Sequence, residues 1–257
     1  MAEIFFLGTG GAVATPARDN TSFLLRCGED LVLVDCPGSL TAKIQRLNLD
    51  PARVGSIVLT HTHPDHIYGL PAFVLARMLE EREIVVWGSA ETVAFSRRLL
   101  DLFRLRGPTI KIRVRFRALR PGQKARLEDS LRLQAFPVSH LPSSLAYRFD
   151  FEDGKRLLYS GDTPPSASLF EEAKGIDCLV HEASAPSRFF KRYPDLRRLH
   201  TSSLEVGEWS ERVGVKCLIP CHFFGEIAFS LAEIRREIRN HFRGTLIIPR
   251  DGQRVML

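Results

Sequence analysis

The 257-residue chain predicts an α/β layered fold. Two observations carry that reading. Short runs rich in Val, Ile, Leu and Phe, bounded by Gly, Pro, Asp and Asn, recur through both halves and have the length and composition of strands. Stretches with apolar residues at helical spacing lie between them, so strands and helices alternate instead of segregating. A hydrophobic content of 44% is enough for a full core. No repeat, low-complexity tract or linker divides the chain, so 1–257 reads as one domain. Pattern alone leaves open whether the layers form an αββα sandwich or a doubly wound sheet.

In order, residues 4–7, 21–26 and 31–34 read as a meander of strands, joined by a Gly8-Thr9-Gly10-Gly11-Ala12 loop and a Gly28-Glu29-Asp30 turn. The glycines permit close backbone approach and free N–H groups, as an oxyanion or phosphate loop needs; a plain turn fits equally well. Asp35 ends the third strand, and 39–47 has helical spacing. Residues 56–59 are a β-branched strand, and Gly69-Leu70-Pro71 opens a helix running to about 82. A strand at 83–87, an amphipathic helix at 90–105 and strands within 110–136 follow, the last around turns at Pro121-Gly122 and Glu128-Asp129-Ser130. Segments 145–151 and 155–160 form a hairpin around Glu152-Asp153-Gly154. The remainder alternates helix 169–173, strand 178–180, helix 201–212, strand 217–220, helix 231–242 and closing strands 246–248 and 254–256.

Composition excludes some classes. No run of 18 or more apolar residues occurs, so nothing predicts a membrane span. The apolar N-terminus carries Glu3 where a secretory leader needs a basic residue, and the expectation is a cytoplasmic protein. Five cysteines without a CxxC pair suit reduced thiols. Cys221 beside His222 is either a soft ligand or a buried structural thiol. The net charge of +6 suits an anionic partner. Eleven Lys and Arg but a single acid, Asp101, lie between Arg97 and Arg126. Within that stretch the alternation from Lys111 to Arg117 predicts a strand with Lys111, Arg113, Arg115 and Arg117 on one face, either solvated or meeting phosphate.

The densest chemistry lies where the strand at 56–59 ends. His61, His63, Asp65 and His66 occur within six residues, at a tight strand-to-helix turn. His61 and His63 share a direction if the turn is extended, whereas Asp65 and His66, beyond Pro64, face a second point. That suits two metal ions side by side. Three further residues of ligating type cap apolar runs: His140, Asp162 and His222.

The segment His61-Thr-His-Pro-Asp-His66 resembles the HxHxDH signature of the metallo-β-lactamase superfamily. Leu7-Gly-Thr-Gly10, Val34-Asp-Cys36, Gly161-Asp-Thr163, His181-Glu-Ala183 and His200-Thr-Ser202 are similar to motifs of its ribonuclease Z branch. The resemblance implies an αββα sandwich with the site at one edge. It also implies a ligand set: His61, His63 and His140 on one divalent ion, Asp65, His66 and His222 on a second, and Asp162 bridging. The ions would be Zn2+, or Mn2+ given the hard carboxylate donors. By the same resemblance a hydroxide bridging the ions attacks phosphorus, Asp65 accepts a proton, and a Glu182–His200 pair protonates the leaving oxygen. The implied activity is phosphodiester hydrolysis, on RNA or on a small or cyclic phosphodiester. Other ester classes and a non-catalytic RNA-binding protein are the competing readings. Branch members are often dimers, so a homodimer is expected.

Two departures bear on substrate. Only 22 positions separate His140 from Asp162, where tRNA-processing members carry a long arm; here a tight hairpin stands. The Ser and Arg that follow the last His in the family are Phe223 and Phe224 here. The segment before His200 interleaves aromatics with Arg188, Lys191 and Arg192, which are candidate substrate-binding residues.

Overall fold

The N-terminal pattern forms an antiparallel meander of β1 (Glu3–Gly8), β2 (Ser22–Cys27) and β3 (Asp30–Val34) in the computed structural model, which describes residues 2–257, Cys27 by its backbone only. The predicted free thiol of Cys27 therefore lies outside the described residues. Parallel pairing needs a crossover, and helices supply it. After β3 come α1 (Leu40–Arg46) and β4 (Val54–Val58), then α2 (Pro64–Ile67), α3 (Leu70–Ala76) and β5 (Glu83–Gly88), then α4 (Ala90–Leu102) and β6 (Arg113–Ala118). The second sheet begins antiparallel with β7 (Lys124–Glu128), β8 (Leu131–Pro137), β9 (Leu145–Phe151) and β10 (Arg156–Tyr159). It continues parallel through α5 (Ala167–Glu172), β11 (Cys178–Glu182), α6 (Ser187–Arg192), α7 (Ser203–Arg212), β12 (Cys217–Cys221), α8 (Leu231–Arg239) and β13 (Thr245–Leu246). Finally β14 (Arg254–Met256) returns to pair with β1, closing the first sheet in the order β14-β1-β2-β3-β4-β5-β6.

The layers follow from period-two burial. Inward side chains of both sheets, among them Phe6, Phe23, Val34, Leu133, Tyr147 and Tyr159, share one buried core. The outer face of the first sheet packs Leu33, Ile57 and Val86 on Leu40, Ile44, Phe73 and Leu100 from its helices. The outer face of the second sheet packs Leu158 and Leu179 on Phe170, Val206, Ile234 and Ile238. Helices thus cover both sheets, which is the αββα sandwich.

Several boundaries move, each for a local reason. The helix expected to reach residue 82 stops at Ala76, because Arg77 turns inward and donates to the carbonyls of Val54 and Ala52. The helix expected over 90–105 ends at Leu102, with Arg104 left-handed at φ 55°. The one expected from 201 begins at Ser203, since Ser202 and Glu205 form a reciprocal capping box. Helix α8 ends at Arg239, short of residue 242. The basic strand starts at Arg113, opposite Glu83; Lys111 precedes it and donates its N–H to Met78.

Candidate metal centre

Every candidate ligand sits where a strand leaves its sheet at the same end of the sandwich. Residues 61–66 follow β4, His140 follows β8, Asp162 follows β10 and His222 follows β12. Pro64 at the first position of α2 starts a helix immediately after His63, which turns Asp65 and His66 back toward the centre. Two groups converge: His61, His63, His140 and Asp162, and Asp65, His66, Asp162 and His222, the ligand atoms of each lying within 4.8 Å of one another.

Within the cluster His140 Nε2 meets His63 Nδ1 at 3.0 Å, whereas most of the contacts to the carboxylates are longer than a hydrogen bond. Asp162 Oδ2 lies 3.9 Å from His61 Nε2, 3.7 Å from His140 Nε2 and 3.1 Å from His222 Nε2; its Oδ1 lies 3.5 Å from His66 Nε2. Asp65 Oδ2 lies 3.4 and 3.5 Å from His66 and His222. Donors about 2.0–2.2 Å from a tetrahedral ion stand about 3.3–3.6 Å apart, and three of these six separations fall in that range. Nε2 of His61, His66 and His222 and Oδ1 of Asp162 are buried without a hydrogen-bond partner, a costly state that a cation relieves. The residues fit a pair of divalent ions.

Outer partners hold four of the five imidazoles through Nδ1 and turn Nε2 inward, while His63 Nδ1 meets His140 Nε2 at 3.0 Å. His61 Nδ1 meets Thr60 Oγ1 at 3.0 Å, His66 Nδ1 meets Asp35 Oδ2 at 2.8 Å, His140 Nδ1 meets the Leu199 carbonyl at 3.0 Å, and His222 Nδ1 meets Ser184 Oγ at 3.2 Å. Asp35 is the hub. Fully buried and left-handed at φ 57°, it also accepts from Thr60 N–H, Thr60 Oγ1 and the Tyr159 hydroxyl. Sequence reading took Asp35 only as a strand end; the Val34-Asp-Cys36 motif was the available signal.

The Gly8–Ala12 loop is a brace and not an anion loop. The N–H groups of Thr9 and Gly10 go to the Asp19 carbonyl and that of Gly11 to the Phe223 carbonyl, so these three are not free for phosphate. Asn20 holds the loop through the Gly11 and Ala12 carbonyls, and a Cβ at Gly11 would lie 3.3 Å from His222. Cys221 is a buried thiol that donates to the His181 carbonyl, and burial pushes it well up, so it stays outside the ligand set.

Charge is balanced within the cluster. Burial alone would lower the His66 and His222 imidazoles; the carboxylates around them win, holding His66 well up and His222 at about 10. Burial would likewise raise Asp65 and Asp162, but these imidazoles keep both well below the usual carboxylate range. His61, buried and facing His66, is held well down. The imidazoles and carboxylates thus favour one another's charged forms, as bound cations would favour the carboxylates.

Glu182 and His200 meet beside this centre, Oε2 to Nδ1 at 3.0 Å. Thr163 N–H and Ser184 Oγ also donate to Glu182. Its lone pairs are therefore engaged, although Glu182, His200 and His222 lie close enough to hold an ion. The His200 ring stacks on His222 at 5.6 Å and meets the Phe224 edge at 5.0 Å. The candidate substrate residues lie on α6, behind the aromatic cluster of Phe189, Phe190 and Phe224. Arg188 is held by Glu233 at 2.7 Å, Arg192 lies over the Tyr193 ring, and Lys191 lines a separate hollow with Pro194 and Arg197.

The four-layer sandwich and the two His/Asp groups define a metal-dependent hydrolase of the metallo-β-lactamase fold, ribonuclease Z-like. Residues 2–205 match the family described as anti-Pycsar protein Apyc1, and the chain belongs to that family. It is similar over 97% of its length to ribonuclease Z of Haloarcula marismortui, 23% identical and covering 95% of that protein. Among solved structures it resembles the metallo-β-lactamase fold protein YhfI of Bacillus subtilis, with TM-score 0.83, 18% identity and coverage of 99% and 98% of the two chains. It also resembles the short form of human tRNase Z, with TM-score 0.79, 19% identity and the same coverage. Among the described residues no helix is long and apolar enough to cross a membrane.

Proposed function

We propose that the chain is a dinuclear phosphodiesterase acting on small or cyclic phosphodiesters. Asp162 carries the two-ion reading, because its buried carboxylate lies among imidazoles of both groups, Oδ2 near His61, His140 and His222 and Oδ1 near His66. In this reading His61, His63 and His140 hold one ion, Asp65, His66 and His222 the other, and Asp162 both. Nitrogen and oxygen donors suit Zn2+, with Mn2+ the alternative. Two bound ions would supply charge neutralisation at a phosphoryl oxygen and acidification of a water.

The side chains supply the proton movements. In this reading Asp65 accepts the proton of the attacking water. Glu182 fixes Nδ1 of His200, so the other ring nitrogen carries the proton given to the departing oxygen. Burial lowers the His200 imidazole, but the Glu182 charge and hydrogen bond overcome this and raise it, the direction that suits a proton donor.

The small-substrate reading rests on what surrounds the centre. The β9–β10 connection is a tight turn, with Gly154 N–H bonded to the Phe151 carbonyl, and offers no arm for a folded RNA. Phe224 stands at the position where a phosphate-binding arginine was expected, and Arg188 is neutralised by Glu233; Lys191 and Arg192 are the remaining candidates for substrate contact. RNA is the second reading, supported by full-length similarity to proteins named ribonuclease Z. The test is a panel of cyclic nucleotides, bis-p-nitrophenyl phosphate, pre-tRNA, thioesters and lactones. Turnover of cyclic nucleotides without pre-tRNA cleavage is expected; turnover of thioesters or lactones alone would overturn the proposal.

The same reading includes a cytoplasmic homodimer. Leu75, Leu79, Leu102 and Phe103 stand exposed on and beyond α3 and α4, the kind of apolar surface that association covers. Sedimentation at micromolar concentration should give the dimer mass; a monomer would remove this part.

A further inference from the structure

The inner faces of the two sheets meet over apolar side chains except at one edge. There β6 bounds the first sheet and β7 the second. Register sets Arg115 beside Val85 and Arg117 beside Trp87, all on the inner face, while Ile84, Val86, Val114 and Phe116 turn to the helix side. From the second sheet Arg126 and Leu127 approach, together with Gln123. These residues, with Glu83 and Ala118, line a cavity of about 500 Å³.

Three guanidiniums oppose one carboxylate in that space. Arg115 is held by Glu83 at 2.6 Å and Arg126 by Asp129 at 2.9 Å. Arg117 has no hydrogen bond or ion pair among the described residues. One free fork beside the tethered Arg115 suits a single dianionic group and not a track of phosphates. Beside it, Val85, Ala118, Leu127 and the Trp87 ring offer an apolar wall for a planar body. We propose that this cleft is a second ligand site, distinct from the metal centre, that takes a nucleoside monophosphate: phosphate on Arg117 beside Arg115, base against Trp87.

Trp87 reports on its own site, because the only other tryptophan, Trp209, stacks on Phe170 in the other helix layer. Adenosine monophosphate titrated into metal-loaded W209F protein should change Trp87 emission saturably in the submillimolar range. Arg117→Ala should weaken the response by about tenfold or more, and Arg117→Lys by less, since the charge survives and the bidentate fork is lost. Neither variant should alter hydrolysis of bis-p-nitrophenyl phosphate. Inward charges on an edge strand also discourage strand pairing, and that role alone predicts no saturable response. An absent response, or one unchanged in Arg117→Ala, overturns the site. Tighter, Arg117-dependent binding of a single-stranded oligoribonucleotide than of the mononucleotide overturns the small ligand.

Discussion

His200 acts on a proton that some leaving groups do not need. A ribose alkoxide departs poorly without one, whereas p-nitrophenolate is already a stable anion. Changing His200→Ala should therefore cost about 10²–10⁴-fold on a nucleotide phosphodiester and far less on bis-p-nitrophenyl phosphate, with metal content unchanged. Equal losses on both substrates, or lost metal, would contradict the assignment. Asp35 makes a different residue-scale case, because it touches no ion. It fixes His66 Nδ1 and Thr60, which in turn orients His61. Asp35→Asn should weaken metal affinity about 10–100-fold, read by competition with a chromophoric chelator. Wild-type affinity would show that Thr60 and Tyr159 hold the ring without the carboxylate.

At the scale of elements, the turn between α2 and α3 controls where His66 stands. Gly69 N–H donates to the Cys36 carbonyl at 2.9 Å, and Cys36 N–H to the His66 carbonyl at 2.7 Å. A Cβ at Gly69 would fall 1.8 Å from the Pro37 carbonyl oxygen, a contact that only backbone movement can relieve. Gly69→Ala should destabilise the protein by about 1–3 kcal/mol and loosen the second ion. Calorimetry with metal analysis checks both; unchanged Tm and metal content would mean the turn yields freely. The loop after β12 carries a similar constraint. His222 is left-handed at φ 59°, held by its N–H to Thr21 Oγ1 and by the glycine loop packed on it.

At the scale of the molecule, ions at the proposed centre would tie both sheets together. His61, His63, Asp65 and His66 come from the first sheet, and His140, Asp162 and His222 from the second. A ligand held only by the folded state adds stability by mass action. Chelation should therefore lower Tm by several degrees, and Zn2+ should restore it. Loading should also release protons, because an imidazole ligates only with its ligating nitrogen unprotonated and the carboxylates here favour the protonated form of His66 and His222 before an ion binds. Calorimetry in two buffers of different ionisation enthalpy measures that release. A binding enthalpy independent of buffer would refute it.

What the chain determined by itself was periodicity and chemistry. Alternating apolar runs gave strands because a pleated strand has two faces, and the dense turn at 61–66 was legible because its ligands are neighbours in sequence. His140, Asp162 and His222 were recognisable by residue type at strand ends, and their grouping by resemblance. Only the tertiary structure could assign the rest, because hydrogen-bond partners distant in sequence leave no local mark. Asp35 serves His66 and Tyr159 from 31 and 124 positions away. The Leu199 carbonyl holds His140 from 59 positions away. The glycine loop proved a brace once Asp19 and Phe223 were seen to take its N–H groups. The basic run from Arg113 to Arg117 was readable as a strand, but which layer its arginines enter depended on the side of the sheet that Val114 and Phe116 bury. Pattern can say that two faces differ; only packing decides which one meets the second sheet.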